Sequence, residues 1–230
     1  SNPVTFSDVG QAQDMLYNGI GYNRNDGYIY GIATKAGEGI QLGEVVRIGS
    51  DGSVVGIGLP TNDTGTDLPD KFPAGTVLDD GTLVVGKGST IVKISGLSES
   101  NPQVDEVITL SYADDSLSGS PKFTDFAVHP ETGEVYGFEH KSQKIATIDF
   151  DNGEVSPVGD ESFGRNIIGG AAFFDSNGRF YVYGRSLDGG SSQNTLYTVS
   201  LESGQPTELV TGESVSIVDG TSVFATHGND

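Results

Sequence analysis

The chain has 230 residues, with 12 Lys plus Arg against 32 Asp plus Glu and a formal net charge of −20. Such a surface repels nucleic-acid phosphates and anionic membranes, and no apolar run reaches the roughly 18 residues of a spanning helix, so nucleic acid and membrane insertion are not expected. Cysteine is absent, which excludes a disulfide framework, a thiolate zinc site and a cysteine nucleophile together.

With 34 Gly and 9 Pro, the composition suits many short strands joined by tight turns, because Gly serves backbone positions with positive φ. The predicted elements begin with Val4-Thr-Phe-Ser-Asp-Val9, which reads as the outermost strand of a blade. Four units follow, each an apolar run, a turn of Asp, Asn or Thr with Gly, and a second run ending in Gly. The first is Asn18-Gly-Ile-Gly-Tyr-Asn23 with Asn25-Asp-Gly-Tyr-Ile-Tyr-Gly31; it continues through Glu44-Val-Val-Arg-Ile48, a turn at Ser50-Asp-Gly52, and Ser53-Val-Val-Gly-Ile57. The second pairs Gly75-Thr-Val-Leu-Asp79 with Asp80-Gly-Thr-Leu-Val-Val-Gly86, then Thr90-Ile-Val-Lys-Ile94 with Glu106-Val-Ile-Thr-Leu110 across a longer loop through Pro102.

The third unit pairs Thr124-Asp-Phe-Ala-Val-His129 with Thr132-Gly-Glu-Val-Tyr-Gly137, then Ile145-Ala-Thr-Ile148 with Glu154-Val-Ser-Pro-Val158. The fourth pairs Gly170-Ala-Ala-Phe-Phe-Asp175 with Asn177-Gly-Arg-Phe-Tyr-Val-Tyr-Gly184, then Leu196-Tyr-Thr-Val199 with Pro206-Thr-Glu-Leu-Val210. The turn glycines Gly27, Gly81, Gly133 and Gly178 lie 54, 52 and 45 residues apart. Four strands per period of 40 to 50 residues are the signature of a β-propeller blade. A further first strand, Asp219-Gly-Thr-Ser-Val-Phe-Ala225, stops in His227-Gly-Asn-Asp230. The expected fold is thus an all-β, five-bladed β-propeller in one domain, with blades near 18–58, 74–111, 124–159 and 169–211. The closing blade is shared between 219–230 and 4–9. Each Asx-Gly pair is expected in a two-residue turn, all on one rim of the ring.

The Gly-Tyr-Asn and Tyr-Ile-Tyr-Gly of the first unit, and the Gly-Ala-Ala-Phe-Phe-Asp and Phe-Tyr-Val-Tyr of the last, resemble a propeller domain of unassigned function. That domain is found in bacterial secreted and surface proteins, including giant calcium-dependent adhesins of the repeats-in-toxin type. The resemblance implies an extracellular, secreted or cell-surface module that is monomeric within a larger chain. It supplies no catalytic motif.

In such a ring the turns after first and third strands share one rim, and the connections after second and fourth strands share the other. The long connections 59–72, 111–123, 159–168 and 185–194 therefore make the second rim the expected functional face, because a rigid scaffold leaves long loops free to carry binding residues. Asn18, Asp125 and Asp219 stand at the starts of first strands beside the central channel. They either meet a ligand at the channel mouth or hydrogen-bond strand ends there. Tyr112 and Phe163 are candidate contacts in the long connections, or buried anchors of those connections, and His140 is the one histidine on that rim. Asp114, Asp115, Asp160 and Glu161 are candidate oxygen ligands for calcium, with a solvated acidic surface as the plainer reading. No twelve-residue calcium loop, Gly-x-Ser-x-Gly elbow or phosphate loop is present.

The expected function is ligand binding by a bacterial adhesin module that recognises a glycan, peptide or protein on another cell surface, with calcium as a candidate helper, and not an enzyme. The alternatives are a propeller-scaffold glycosidase or lactonase, with carboxylates or calcium at the channel mouth, and a passive spacer.

Overall fold

A computed structural model describes residues 7–114, 117–164, 166–187, 194–212 and 219–223. Among these residues every regular element is a β-strand. Blade 1 consists of β1 (Leu16–Tyr22), β2 (Ile29–Lys35), β3 (Val45–Ile48) and β4 (Val54–Gly58). Blade 2 consists of β5 (Ala74–Val77), β6 (Leu83–Lys87), β7 (Thr90–Ser95) and β8 (Gln103–Thr109), followed by the two-residue β9 (Ser111–Tyr112). Blade 3 holds β10 (Phe123–Val128), β11 (Val135–Glu139), β12 (Lys144–Ile148) and β13 (Glu154–Pro157). Blade 4 holds β14 (Ile167–Phe174), β15 (Phe180–Ser186), β16 (Asn194–Val199) and β17 (Pro206–Thr211). Each blade is an antiparallel meander in chain order. This is the β-propeller that the repeat predicts.

The blades stack face to face because their middle strands are apolar on both sides. Leu83, Val84 and Val85 of β6 are all fully buried: Leu83 and Val85 face blade 1 with Tyr30 and Ile32, and Val84 faces blade 3 with Phe126. At the axis the first strands come so close that a side chain at Gly75 would collide with the backbone of Gly19.

The turn glycines sit where the repeat puts them, with φ of 78° at Gly27, 89° at Gly81, 74° at Gly133 and 73° at Gly178. The loops, however, have three or four residues instead of two. Leu78 N–H bonds the Thr82 carbonyl while Gly81 N–H bonds the Leu78 carbonyl, and Asn23 pairs with Tyr28 around four residues. In a three-residue hairpin, a type I turn followed by one left-handed residue restores the strand twist, so one Gly suffices. Several of the loops open on a side chain that accepts the N–H two residues on, as Asn23, Asp149 and Asp175 do for Asn25, Asp151 and Asn177.

The connections between blades begin differently from the expectation. Thr61 pairs with Gln103 beside the outermost strand of blade 2, β9 runs parallel to β13 at Glu154 and Val155, and Glu161 N–H bonds the Ser203 carbonyl beside blade 4. The first stretch of three connections is therefore stitched to the outer edge of the next blade, and does not hang free at the rim.

Residues 219–223 occupy the ring position between blades 4 and 1. Ile20 N–H donates to Asp219 (2.8 Å), Tyr22 N–H donates to the Thr221 hydroxyl (3.2 Å), and the Ser222 hydroxyl donates to the Phe174 carbonyl. The rest of the expected closing blade, 4–6 and 224–230, lies outside the described residues, and 7–9 is not a strand. Instead the Val9 carbonyl passes over Gly52 and the chain runs along blade 1 to Met15, which is 2% exposed.

Candidate functional site

The channel has two ends: an entry end, where the chain comes into each first strand, and a turn end, where the first hairpins close. Near its middle lie two carboxyl groups. Asp125 of β10 is 1% exposed and accepts N–H bonds from Phe126 (2.9 Å), from Gly75 of blade 2 (3.4 Å) and from Ala172 of blade 4 (2.6 Å). Asp219 accepts from Ile20 of blade 1 (2.8 Å) and from Gly220 (2.9 Å), and it is hydrogen-bonded to Asp125. Asp125 reaches Ala172 in the next blade, and Asp219 reaches Ile20 in its own next blade. Both candidate residues thus tie neighbouring first strands together, which is the second of the two roles their position suggested.

Burial, and then the charge of Asp219, push the Asp125 carboxyl well above the ordinary carboxylate range, against the bonds from Ala172, Phe126 and Gly75. Burial pushes Asp219 up to about 7, against the N–H bonds of Ile20, Gly220 and Gly19. Two carboxylates in contact cannot both ionise cheaply in a low-dielectric site.

At the entry end a cavity of about 310 Å³ is lined by Leu16, Tyr17, Asn18, Ile20, Thr34 and Asp219. The Asn18 Oδ1 atom is buried without a hydrogen-bond partner. Asn18 and Asp219, two hundred residues apart in sequence, are therefore brought together around one cavity, with Thr34 and Tyr17 added by the fold. Thr34 sits on the second strand of blade 1, and only the register of β1 with β2 reveals its proximity. The turn end is nearly closed: its cavity of about 30 Å³ lies beneath Arg24, which donates to the Pro130 carbonyl (3.3 Å) and approaches Asp79 (3.9 Å).

The other candidates are placed elsewhere. Phe163 is packed as an anchor of its connection: 7% exposed, it lies edge-on against Phe138 (4.9 Å) and Tyr197 (5.2 Å). Tyr112 belongs to the stitch onto β13, half-buried, and bonds Glu139; burial and then Glu139 push its hydroxyl up to about 12. Glu139 is 1% exposed. Burial opposes its charge, and the N–H groups of Ser142, Lys122 and Lys141 outweigh that opposition and hold the carboxyl below its ordinary range. His140, next along, donates its N–H to the Lys122 carbonyl, while its Nδ1 is buried without a partner.

Asp114 lies in the stitch between blades 2 and 3, whereas Asp160 and Glu161 lie in the stitch between blades 3 and 4, so two successive seams hold what the sequence grouped as calcium ligands. Asp115 lies outside the described residues. Among the described residues, no three His, Asp or Glu side chains form a group suited to a metal ion.

Solved structures with the same fold include virginiamycin B lyase from Staphylococcus aureus, at 19% identity over 86% of this chain and 56% of that one, with a TM-score of 0.48. Hydrazine synthase from Kuenenia stuttgartiensis matches at 12% identity over 92% of this chain and 53% of that one, with a TM-score of 0.51. The periplasmic gluconolactonase PpgL of Pseudomonas aeruginosa matches at 13% identity over 84% and 71%, with a TM-score of 0.47. The chain spans little more than half the length of the lyase and synthase chains. No curated protein sequence matches it. At these identities the likeness extends to the fold alone. It nevertheless corrects one expectation: with hydrazine synthase sharing the fold, the fold gives no ground for setting catalysis aside, and the non-enzyme reading is withdrawn. Residues 1–227 match the model of a repeat of unknown function, and the chain belongs to that family, DUF6923.

Proposed function

We propose that this chain is an extracellular ligand-binding module of a bacterial surface adhesin, and that it takes its ligand at the entry end of the channel. The observation that carries this reading is the Asn18 Oδ1 atom, buried at a cavity of about 310 Å³ with no donor to satisfy it. A buried acceptor left unpaired costs about 1–3 kcal/mol, and such a group in a folded protein calls for a partner from outside the chain. Donors that fit are the hydroxyls of a glycan or the N–H groups of a peptide. The apolar edges of Leu16 and Ile20 offer a wall for the rest of the ligand.

A glycan and peptide array, run with and without calcium, tests this reading. Saturable binding that Asn18→Ala abolishes, with an unchanged melting temperature, is the expected result. Binding that is indifferent to Asn18 and lost on substitution at the turn end, for example at Asp79, places the site on the wrong end.

One observation favours a second reading, catalysis at the same cavity. Asp219 lines it, and a carboxyl pushed up to about 7 suits general acid–base work. Its oxygens are already engaged by backbone N–H groups, which makes this reading the second of the two. Turnover of lactone or glycoside substrates that disappears in Asp219→Asn supports it.

A further inference from the structure

Residues 219–223 are fastened to the ring by polar side chains: Asp219 to Ile20, Thr221 to Tyr22, and Ser222 to Phe174. Asp219 is the one that also reaches across the axis, to Asp125. Asp125 in turn holds Gly75 and Ala172, so two carboxyl groups in contact join blade 1, blade 2, blade 3, blade 4 and the closing segment. If both were ionised, their repulsion in this buried setting would push Asp219 away from the axis and take the segment with it. If one carries a proton, it donates that proton to the other, and each of the four oxygens still accepts a backbone N–H.

We propose that the ring is held shut by one proton shared between Asp125 and Asp219, and that losing this proton in mildly alkaline solution releases the 219–223 segment from blades 4 and 1.

Among the described residues, few other charges face the pair. The first strands contribute Tyr17 and Tyr22 on β1 and no further titratable group on β5, β10 or β14. Arg24 lies beyond the end of β1 and is engaged with Asp79 and the Pro130 carbonyl. No cation among the described residues of the first strands offsets a second negative charge. Burial raises both carboxyls, and Asp219 reaches about 7 from the ordinary 3.8. A carboxyl raised by folding contributes stability that is complete below its unfolded value and is lost as pH rises towards its folded value. Between 3.8 and about 7 the unfolded chain holds at least one proton fewer than the folded one. The folding equilibrium constant then falls at least roughly tenfold per pH unit in that window.

The test is a series of urea unfolding curves from pH 5 to 8.5 on the wild-type chain, Asp125→Asn and Asp219→Asn, together with amide exchange and infrared spectra of the wild type. The wild type is expected to lose folding constant by at least about tenfold per pH unit between pH 5 and 7. Each Asn variant is expected to show a flatter profile whatever its baseline; the histidines are common to all three proteins and cancel in the comparison. Protection of the Ile20, Tyr22 and Ala172 amides should drop above neutrality, beyond the change in intrinsic exchange, while that of the β6 amides holds. A protonated-carboxyl C=O band should be present at pH 6 and gone at pH 8.5. If neither Asn variant folds, the wild-type slope and the infrared band decide alone. A wild-type profile that is flat or rising from pH 5 to 7, or the lack of a carboxylic acid band at pH 6, overturns the proposal. So does a profile that responds to chelators and not to pH, since that would put a cation where the proton is placed.

Discussion

Between blades 3 and 4, six aromatic rings (Tyr136, Phe138, Phe163, Phe174, Phe180 and Tyr197) form one buried cluster, several of them edge to face at 4.9–5.7 Å. The Gln143 side-chain amide adds a two-way bond to the backbone of Ile167 (2.7 and 3.1 Å). Between blades 4 and 1 the described residues give hydrogen bonds accepted by Asp219 and Thr221 and one donated by Ser222, beside the smaller apolar cluster of Met15, Ala33, Val46 and Ile48 and an apolar cavity of about 670 Å³ lined by Val9, Ile29, Val54 and Val223. The first seam draws its strength from removing apolar surface from water, which is indifferent to pH and tolerant of small shifts. Among the described residues, the second adds polar groups whose strength follows geometry and protonation state.

The largest way to break this contrast is at the aromatic seam. Phe138 is 1% exposed and touches Phe163, and Gly169 of blade 4 leaves room for its ring. Phe138→Ala removes the ring and leaves a cavity, for an expected loss of about 3–5 kcal/mol in urea unfolding. The loss should be the same at pH 5 and pH 8, since no titratable group depends on it. A strongly pH-dependent loss would show that the two seams are coupled and not distinct.

Gln143 sharpens the contrast at smaller amplitude. Ile167 is fully buried, and Gln143→Ala leaves both its N–H and its carbonyl without these partners. The expected cost is about 2 kcal/mol. Ala is the appropriate replacement because Gln143 has φ of 56°, and Gly would relieve that conformation and mask part of the loss. Amide exchange at Ile167 should rise while exchange at Ile20 stays as it was; a parallel rise at both would mean that blades 3, 4 and 1 open as one unit.

The two seams also differ in how far the amino-acid sequence announces them. Hairpins were legible because Gly27, Gly81, Gly133 and Gly178 must take positive φ, and alternating apolar runs flank them. The stitches at Thr61, Ser111 and Glu161 were not, since a parallel pairing of one or two residues has no period to detect. Phe163 in a polar connection reads equally as contact or anchor, and only the pocket formed by Phe138 and Tyr197 decides between them. Asp125 and Asp219 were found by their equivalent positions in the repeat. That they touch depends on how tightly the first strands converge, which glycines such as Gly19 and Gly75 permit but do not specify.

The smallest expected effect on stability bears on function at the edge of the second seam. Asn18 lies in β1, opposite Ile32, with its Oδ1 buried and unpaired beside the cavity that Asp219 also lines. Its neighbours Leu16, Ile20 and Tyr17 supply an apolar surround into which Leu, nearly isosteric with Asn, fits. Replacing an unsatisfied polar group by an apolar one of the same shape removes a desolvation penalty and breaks no bond to that atom. Asn18→Leu is therefore expected to leave stability unchanged or to raise it by up to about 1 kcal/mol, with no change in its pH profile, while abolishing ligand binding. If Asn18 were held for the fold, through an internal water that bridges it to the backbone, the same substitution would displace that water and lower stability by about 1–2 kcal/mol. The sign of one unfolding measurement thus separates an acceptor kept for a ligand from one kept for the ring.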